Sequence, residues 1–323
     1  MQKNLTRRNV LAAAALGLTL PTVRAQAWPS RPIRFIVPYP PGGGTDIVAR
    51  MLAQKMTQSL GQPVVVENKP GASTIIGTDL MAKAPADGHT FALITDSHAI
   101  NPTFFPNLPY DSLKDFAFIS QLVYTPLMMV AHPSLKAKNL RDFIALAKSQ
   151  PGRINYASIG NGTPHHLSME WFRSMAGVEL THVPYKGVAP ALADVVAGHA
   201  QVMFTGTSSA APYVADGRLI ALGVSSAKRQ PAFPDVPSVS EVLPQFDFMT
   251  WYGTAAPGNT PPEIVQRLSR EIANALAMPD VKDRLAKLGV EGAPSSPEAF
   301  RTFMGQQIEV LRKMVQVTGV KAE

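Results

Sequence analysis

Cysteine is absent from this sequence, and charged residues are scarce. Without a thiol there is no disulfide, no thiolate metal site, no cysteine nucleophile and no lipid attached through cysteine. A chain of 323 residues does not need such staples, because it is long enough to bury a sizeable apolar core. That length corresponds to about two domains. Asp, Glu, Lys and Arg make up 16% of the residues, against an average of about 25%. Coiled coils and charged tails are therefore not expected. Beyond the N-terminal region, no stretch reaches the roughly 18 apolar residues of a membrane-crossing helix. The hydrophobic fraction, 46%, is that of an ordinary globular protein and argues against disorder. Proline departs in the other direction, with 29 residues against a usual share of about 5%.

Part of the formal charge of +7 sits at the N-terminus. Residues 1–27 hold Lys3, Arg7, Arg8 and Arg24, and no acid. An apolar run from Val10 to Leu20 follows the first three, then Pro21 and the triplet Ala25-Gln26-Ala27. Basic start, short apolar middle and A-x-A end predict a secretory signal peptide over 1–27, cleaved after Ala27. The run is too short to span a bilayer. Thr6-Arg7-Arg8 with Leu11 leaves the general secretory and twin-arginine routes both open. Removing the segment lowers the net charge from +7 to +3. The remaining excess is scattered, with no basic stripe interleaved with aromatics, so nucleic acid is not an expected partner. A signal peptide without an anchor implies a soluble exported protein, periplasmic in a double-membrane bacterium.

The rest of the chain alternates strands and helices. Arg31 to Val37 reads as a strand, the stretch 38–44 as a Pro- and Gly-rich loop, and Thr45-Asp46 as a helix start with Val48, Leu52 and Met56 on one face. Strands follow at 64–66 and 90–95, with a helix starting at Ser73 or Thr74 between them. The middle repeats this grammar. Strands are expected at 154–158, 180–183, 201–204 and 219–224, and helices at 140–147, from Thr163-Pro164 to Gly177, and over 189–197. Residues 205–209 read as a polar loop, and the Pro-rich stretch 232–245 as loop or linker. Thr260-x-x-Glu263 and Ser295-x-x-Glu298, each enclosing proline, read as capping boxes that open helices. Much of the proline is thus at helix starts. Alternating strands and helices predict an α/β fold with parallel, helix-covered sheets. Two such halves suggest two lobes: 28–128, 129–249, and a return over 250–323 whose C-terminal helices pack back on the first lobe.

Two Gly-rich loops follow strands and precede helices: Gly42-Gly43-Gly44-Thr45-Asp46 and Gly160-Asn161-Gly162-Thr163. The first N–H groups of a helix lack internal partners and carry the positive end of its dipole. Two such loops on facing lobes could grip a carboxylate, with Tyr39, Thr45, Ser158 and Thr163 as supporting donors. The plainer alternative is a pair of βα turns with N-caps. Asp46 could receive a ligand hydroxyl or ammonium, or simply cap its helix. Neither loop is a P-loop or a dinucleotide fingerprint, so no cofactor is expected. His165, His166 and Glu170 offer a weak metal pattern without a second ligand cluster, so no metal is expected either. The stretch 206–210 lacks the second glycine of a nucleophile elbow, which leaves hydrolysis through Ser208 as a remote alternative. Ser97, Tyr185 and Lys186 follow strands on the same edge. Trp171 and Trp251 read as core rather than ligand-stacking residues.

Across the whole mature chain the sequence resembles the solute-binding proteins of tripartite tricarboxylate transporters, the Bug family of receptors. The segments that carry the resemblance include WPSRPIRFIVPYPPGGGTDIVAR, VENKPGA, INYASIGNGTPHHLSMEWF, HVPYKGVAPALADVVAG and TWYGTAAPGNTPPEIV. The resemblance implies a two-lobed Venus-flytrap fold of the periplasmic binding protein type II class, its lobes joined by two crossing strands. It implies a ligand site at Tyr39, Gly43, Gly44, Thr45 and Asp46, and at Ser158, Gly160, Gly162, Thr163 and His166. Ser97, Tyr185 and Thr205 complete the expected set. Many members carry Asp where this chain has Thr205. The expected function is capture of a small organic carboxylate by a monomeric receptor, not an enzyme, that serves large and small transmembrane permease subunits. A ligand sensor on the same fold is the alternative.

Overall fold

The computed structural model describes residues 28–320. The expected signal peptide and its cleavage point after Ala27 lie outside the described residues. Several apolar runs followed by a glycine or proline turn become strands. Thus β1 (Ile33–Val37) leads through the Gly-rich loop to α1 (Gly44–Leu60), and β2 (Val64–Asn68) leads to α2 (Ile75–Ala82). Then β3 (Thr90–Thr95) runs directly into α3 (Asp96–Phe104). The second lobe repeats the order after the long β4 (Phe116–Ala131): α4 (Leu140–Ser149), β5 (Asn155–Ser158), α5 (Pro164–Ala176) and β6 (Thr181–Pro184). It continues with α6 (Val188–Ala197), β7 (Val202–Gly206), α7 (Thr207–Ala215) and β8 (Ile220–Val224). The chain returns through β9 (Met249–Pro257), α8 (Pro262–Ala277), α9 (Pro279–Lys287), β10 (Glu291–Gly292) and α10 (Pro297–Thr318).

The sheet order is β2-β1-β3-β9-β4-β7-β5-β6, with β8 and β10 also on β4. Each lobe's own strands are parallel: β2-β1-β3 in one, β7-β5-β6 in the other. The two are joined by antiparallel crossings. Residues Phe116 to Pro126 of β4 pair with β9, while Leu127 to Ala131 pair with β7 and β8. The 16 residues of β4 span roughly 50 Å at the strand rise per residue, enough to serve both lobes. The molecule is a two-lobed α/β protein whose lobes share crossing strands. The crossings are extended strands, as the resemblance implies. Residues 232–245 lie between β8 and β9, where Ser238 and Glu241 form a capping box on a short 3-10 turn.

Ser225 stitches both crossings at the lobe boundary. Its hydroxyl accepts the Leu127 N–H at 2.8 Å and donates to the Phe248 carbonyl at 2.5 Å. Its own N–H and C=O bond the Leu127 carbonyl and the Phe248 N–H.

Two caps differ from expectation. Thr260 turns its hydroxyl back to the Pro257 carbonyl at 2.7 Å, and α8 starts after Pro261 with no side-chain cap. At α10 the cap is Ser296, which accepts the Ala299 N–H at 3.1 Å. Ser295 is engaged elsewhere: its N–H donates to Ser120 Oγ at 3.1 Å and its Oγ accepts the Gln121 N–H at 3.0 Å. The polar stretch 205–209 is the end of β7 and the first turn of α7 rather than a loop. Helix α8 packs on α1 and β4, as a return to the first lobe requires, but α10 packs on α3, β4 and the second-lobe helix α5. One apolar cluster accordingly joins both lobes through Phe118, Phe143, Phe172, Phe204, Trp251 and Phe300. Trp251 is core, edge-on to Phe300 and Phe303. Trp171 packs edge-on against Phe246 and Phe248.

Candidate functional site

Five helices begin on one cavity between the lobes. Its wall takes Gly43, Gly44 and Thr45 from the start of α1, Thr95 and Asp96 from α3, and Pro164 and His165 from α5. Val188 and Ala189 open α6 there, and Gly206 and Ser209 belong to the start of α7. Tyr39, Pro40, Pro41, Leu127, Ile159, Thr250 and Tyr252 complete the inner surface, and the cavity measures about 50 Å³. Strands that share a sheet edge deliver their following helices to the same place, which is why so many starts converge. Three of these helices, α1, α6 and α7, are preceded by Gly43, Gly187 and Gly206 and have no side-chain cap. Their first-turn N–H groups are left for another acceptor. The summed dipoles favour a negative charge in the cavity, although no lysine or arginine among the described residues lines it.

The first Gly-rich loop is braced from behind by Asp46. One carboxylate oxygen accepts the Gly42 N–H at 3.0 Å and Arg50 Nε at 2.9 Å. The other accepts Asn68 Nδ2 at 2.9 Å. Burial alone would raise this carboxyl, but the Arg50, Gly42 and Asn68 hydrogen bonds hold it below its ordinary value. Gly42 has a φ of 87°, a left-handed conformation that glycine adopts without strain. Tyr39 stands beside the loop, its hydroxyl 2.6 Å from Thr95 Oγ1 and 3.1 Å from Ser97 Oγ. Burial pushes the Tyr39 phenol up to about 12, so it stays a neutral donor.

The second loop is organised by its own hydroxyls. Thr163 caps α5 by accepting the His166 N–H and donates to the Gly160 carbonyl at 2.7 Å. Ser158 Oγ accepts the Gly160 N–H at 3.1 Å and lies 2.7 Å from His182 Nε2. His166 Nδ1 accepts the Gly162 N–H at 3.2 Å and its ring stacks on His182. Burial, then the neighbouring His182 and Arg173, push His166 down to about 3. Glu170 is engaged by Arg173 and Tyr156, so the His–Glu pattern is spent on packing.

The structure thus sorts the residues singled out from sequence. Tyr39, Gly43, Gly44 and Thr45 line the inner cavity. Gly160, Thr163 and Tyr185 line an adjoining outer cavity of about 400 Å³, with Lys186 and Ser73. Asp46, Ser97, Ser158, Gly162, His166 and Thr205 line neither. Asp46, Ser97, Ser158 and His166 support the loops through the bonds just described. Gly162 backs onto the Phe104 ring of the first lobe. Thr205 is buried in β7, its hydroxyl without a hydrogen-bond partner. Sequence reading missed Asp96, Thr250 and Tyr252, and took His165 only as part of a weak metal pattern. Their signals were weak: Asp96 follows the apolar strand TFALIT directly, and Thr250 and Tyr252 flank a core tryptophan.

A tripartite tricarboxylate transporter family receptor model matches residues 48–320. The chain belongs to that receptor family. The Bordetella pertussis protein BugT is 37% identical over 311 residues, 95% of each chain. Among solved structures, the periplasmic binding protein BugD is 32% identical with a TM-score of 0.87, covering 91% of this chain and 99% of its own. MatC of Rhodopseudomonas palustris, solved with bound malate, is 31% identical with a TM-score of 0.84, covering 89% and 100%. This receptor therefore has the two-lobed periplasmic binding protein fold. Its family and structural neighbours are solute-binding proteins, not enzymes, which sets aside hydrolysis through Ser208. Family membership also implies export.

Proposed function

We propose that this receptor closes its lobes on a small organic carboxylate in the periplasm and delivers it to a permease with large and small transmembrane subunits. The observation that carries this reading is the convergence of uncapped helix starts on a cavity with no lysine or arginine among the described residues of its wall. Oriented backbone N–H groups bind an anion without the desolvation cost of a buried arginine. Gly43, Gly44 and Thr45 approach the ligand from the first lobe. His165 and the start of α6 approach from the second, and the loop 160–163 holds the outer cavity. Tyr39 and Tyr252 add hydroxyls. The bound malate of the relative MatC suits a pocket of this kind. Closure is a hinge motion about the two crossings, stabilised by whatever the ligand touches on both sides. The lobes are 28–128 and 129–249 in this reading, with 250–323 returning to the first.

A thermal-shift screen over mono-, di- and tricarboxylates tests it. A ligand at a hundred times its Kd stabilises the folded state by about 2.7 kcal/mol, a readily measured rise in Tm. No shift with any carboxylate sinks the reading. Uptake of the ligand by cells with and without the permease subunits separates transport from sensing.

A further inference from the structure

Asp96 is anomalous among the groups around the inner cavity. It opens α3, is 2% exposed, and accepts the Trp251 N–H of β9 at 3.0 Å through Oδ1. The surrounding helix starts are disposed to hold a negative charge, yet Asp96 is itself one of the residues of that wall. A ligand carboxylate in this cavity would lie against an ionised Asp96, with no lysine or arginine among the described lining residues to offset the pair. Like charges confined in this way do not both stay ionised near neutral pH. A proton is the compensating charge that solvent can supply, and it turns the carboxyl from an acceptor into a donor.

We propose that the receptor binds its carboxylate together with one proton, held on Asp96, so that ligand capture is proton-linked. This deepens the carboxylate-receptor reading and rests on it. The other titratable groups facing the cavity do not supply the missing charge. Tyr39, from the loop before α1, is neutral. Burial, with Tyr39 and Asp96 adding to it, pushes the Tyr252 phenol of β9 well up. Burial pushes His165, at the start of α5, down to about 4, so its imidazole is neutral at pH 7. On α3 itself, His98 is held by the Ser112 carbonyl at 2.9 Å and is pushed down to about 4 by burial. Burial pushes Asp96 up to about 7, against the opposing pull of the Trp251 and Asp96 N–H groups. In the empty cleft the carboxyl is thus half protonated near neutrality, and an adjacent anion raises it further.

The sign follows from linkage. Below about pH 6 the proton is already in place and affinity is nearly flat. Above pH 7, each ligand must draw a proton from solvent. Kd then rises, approaching about tenfold per pH unit, until the loaded-state pKa is passed.

The experiment begins with the carboxylate screen at pH 6, malate included, which selects the probe. A screen without a hit overturns the carboxylate reading and this one with it. With a hit, calorimetry at pH 6, 7, 8 and 9 in two buffers of different ionisation enthalpy separates the two. The expected result is a Kd that rises about twofold from pH 6 to 7, about fivefold from 7 to 8 and about tenfold from 8 to 9, with about one proton taken up per ligand at pH 8. Asp96→Asn, the shape of the protonated acid, is expected to bind with a flat profile and no uptake. Carbonyl 13C NMR of the Asp96 carboxyl in wild-type protein is a check that needs no variant, its midpoint moving upward on loading. Binding that is flat from pH 6 to 9, a wild-type slope in Asp96→Asn, or an unmoved Asp96 midpoint overturns proton linkage while leaving the receptor reading intact.

Discussion

The Ser73 hydroxyl of the first lobe donates to the Asn161 carbonyl of the second at 2.8 Å. Ala72, Ser73 and Thr74 are consecutive non-glycine residues with φ of 45°, 49° and 78°. Left-handed backbone at such residues is strained. The Ser73 carbonyl is held by Asn101 Nδ2 at 3.0 Å, which keeps the segment in place. The strain is thus stored at the rim of the cleft, where the two lobes touch.

If this contact belongs to the closed state, Ser73→Ala weakens ligand binding by about three- to tenfold, the worth of one net hydrogen bond. The Tm without ligand stays within a degree or two of wild type on the same basis. Calorimetry and a thermal melt check both. An unaltered Kd would remove Ser73 from closure.

Gly44 is the tightest point of the first loop. A Cβ there would lie 3.0 Å from the Tyr252 hydroxyl and 3.4 Å from Ser208 Oγ. Gly44→Val therefore fills the cavity from its wall, and binding is expected to weaken at least about tenfold through overpacking. Gly305→Ala, in α10 where a Cβ meets nothing within 4 Å, serves as the control. It should leave Kd alone and add about 0.5–1 kcal/mol of stability by relieving a helical glycine. Equal Kd values for Gly44→Val and wild type would displace the first loop from the site.

Asp46→Ala removes the acceptor for three hydrogen bonds behind the same loop. A cost of about 1–3 kcal/mol follows from leaving such donors unpaired, read by urea denaturation. The carboxyl is held below its ordinary value in the fold. Its contribution is therefore fully present above the unfolded-state value of about 4 and is lost as pH falls below that. Wild type should lose stability relative to Asp46→Ala as pH drops through that window. A difference between the two that stays constant down to pH 3 would contradict the assignment.

At the lobe boundary, Ser225→Ala strands the buried Leu127 N–H. About 1–3 kcal/mol of stability is expected to go with it. Hydrogen exchange should quicken first at Leu127 and Phe248, which locates the loss in the crossings. Uniform exchange across the molecule would place the defect elsewhere.

Both Gly-rich loops were legible because their signals are local: glycine after an apolar strand, then Thr-Asp or Thr-Pro at a helix start. The side chains that line the cavity were less so. Asp46 and Ser158 have the chemistry of ligand contacts, but each hydrogen-bonds its own loop instead. Asp96 and Tyr252 carry no pattern of their own in sequence. They become neighbours because β3 pairs with β9, which brings Thr95 opposite Tyr252, across more than 150 positions of chain.

The capping serines make the same distinction. Ser295 and Ser296 are equally good caps in sequence, and the choice between them follows from Ser120 and Gln121 on β4, which claim the first. By itself the sequence determined the alternation of strands and helices, the placement of glycines at helix starts, and the absence of any thiol chemistry. These follow from period, turn residues and composition, which act over a few positions. The tertiary structure alone decided which helix starts share a cavity and that Asp96 stands among them. Those depend on strand pairing and burial, and both are set by residues distant in the chain.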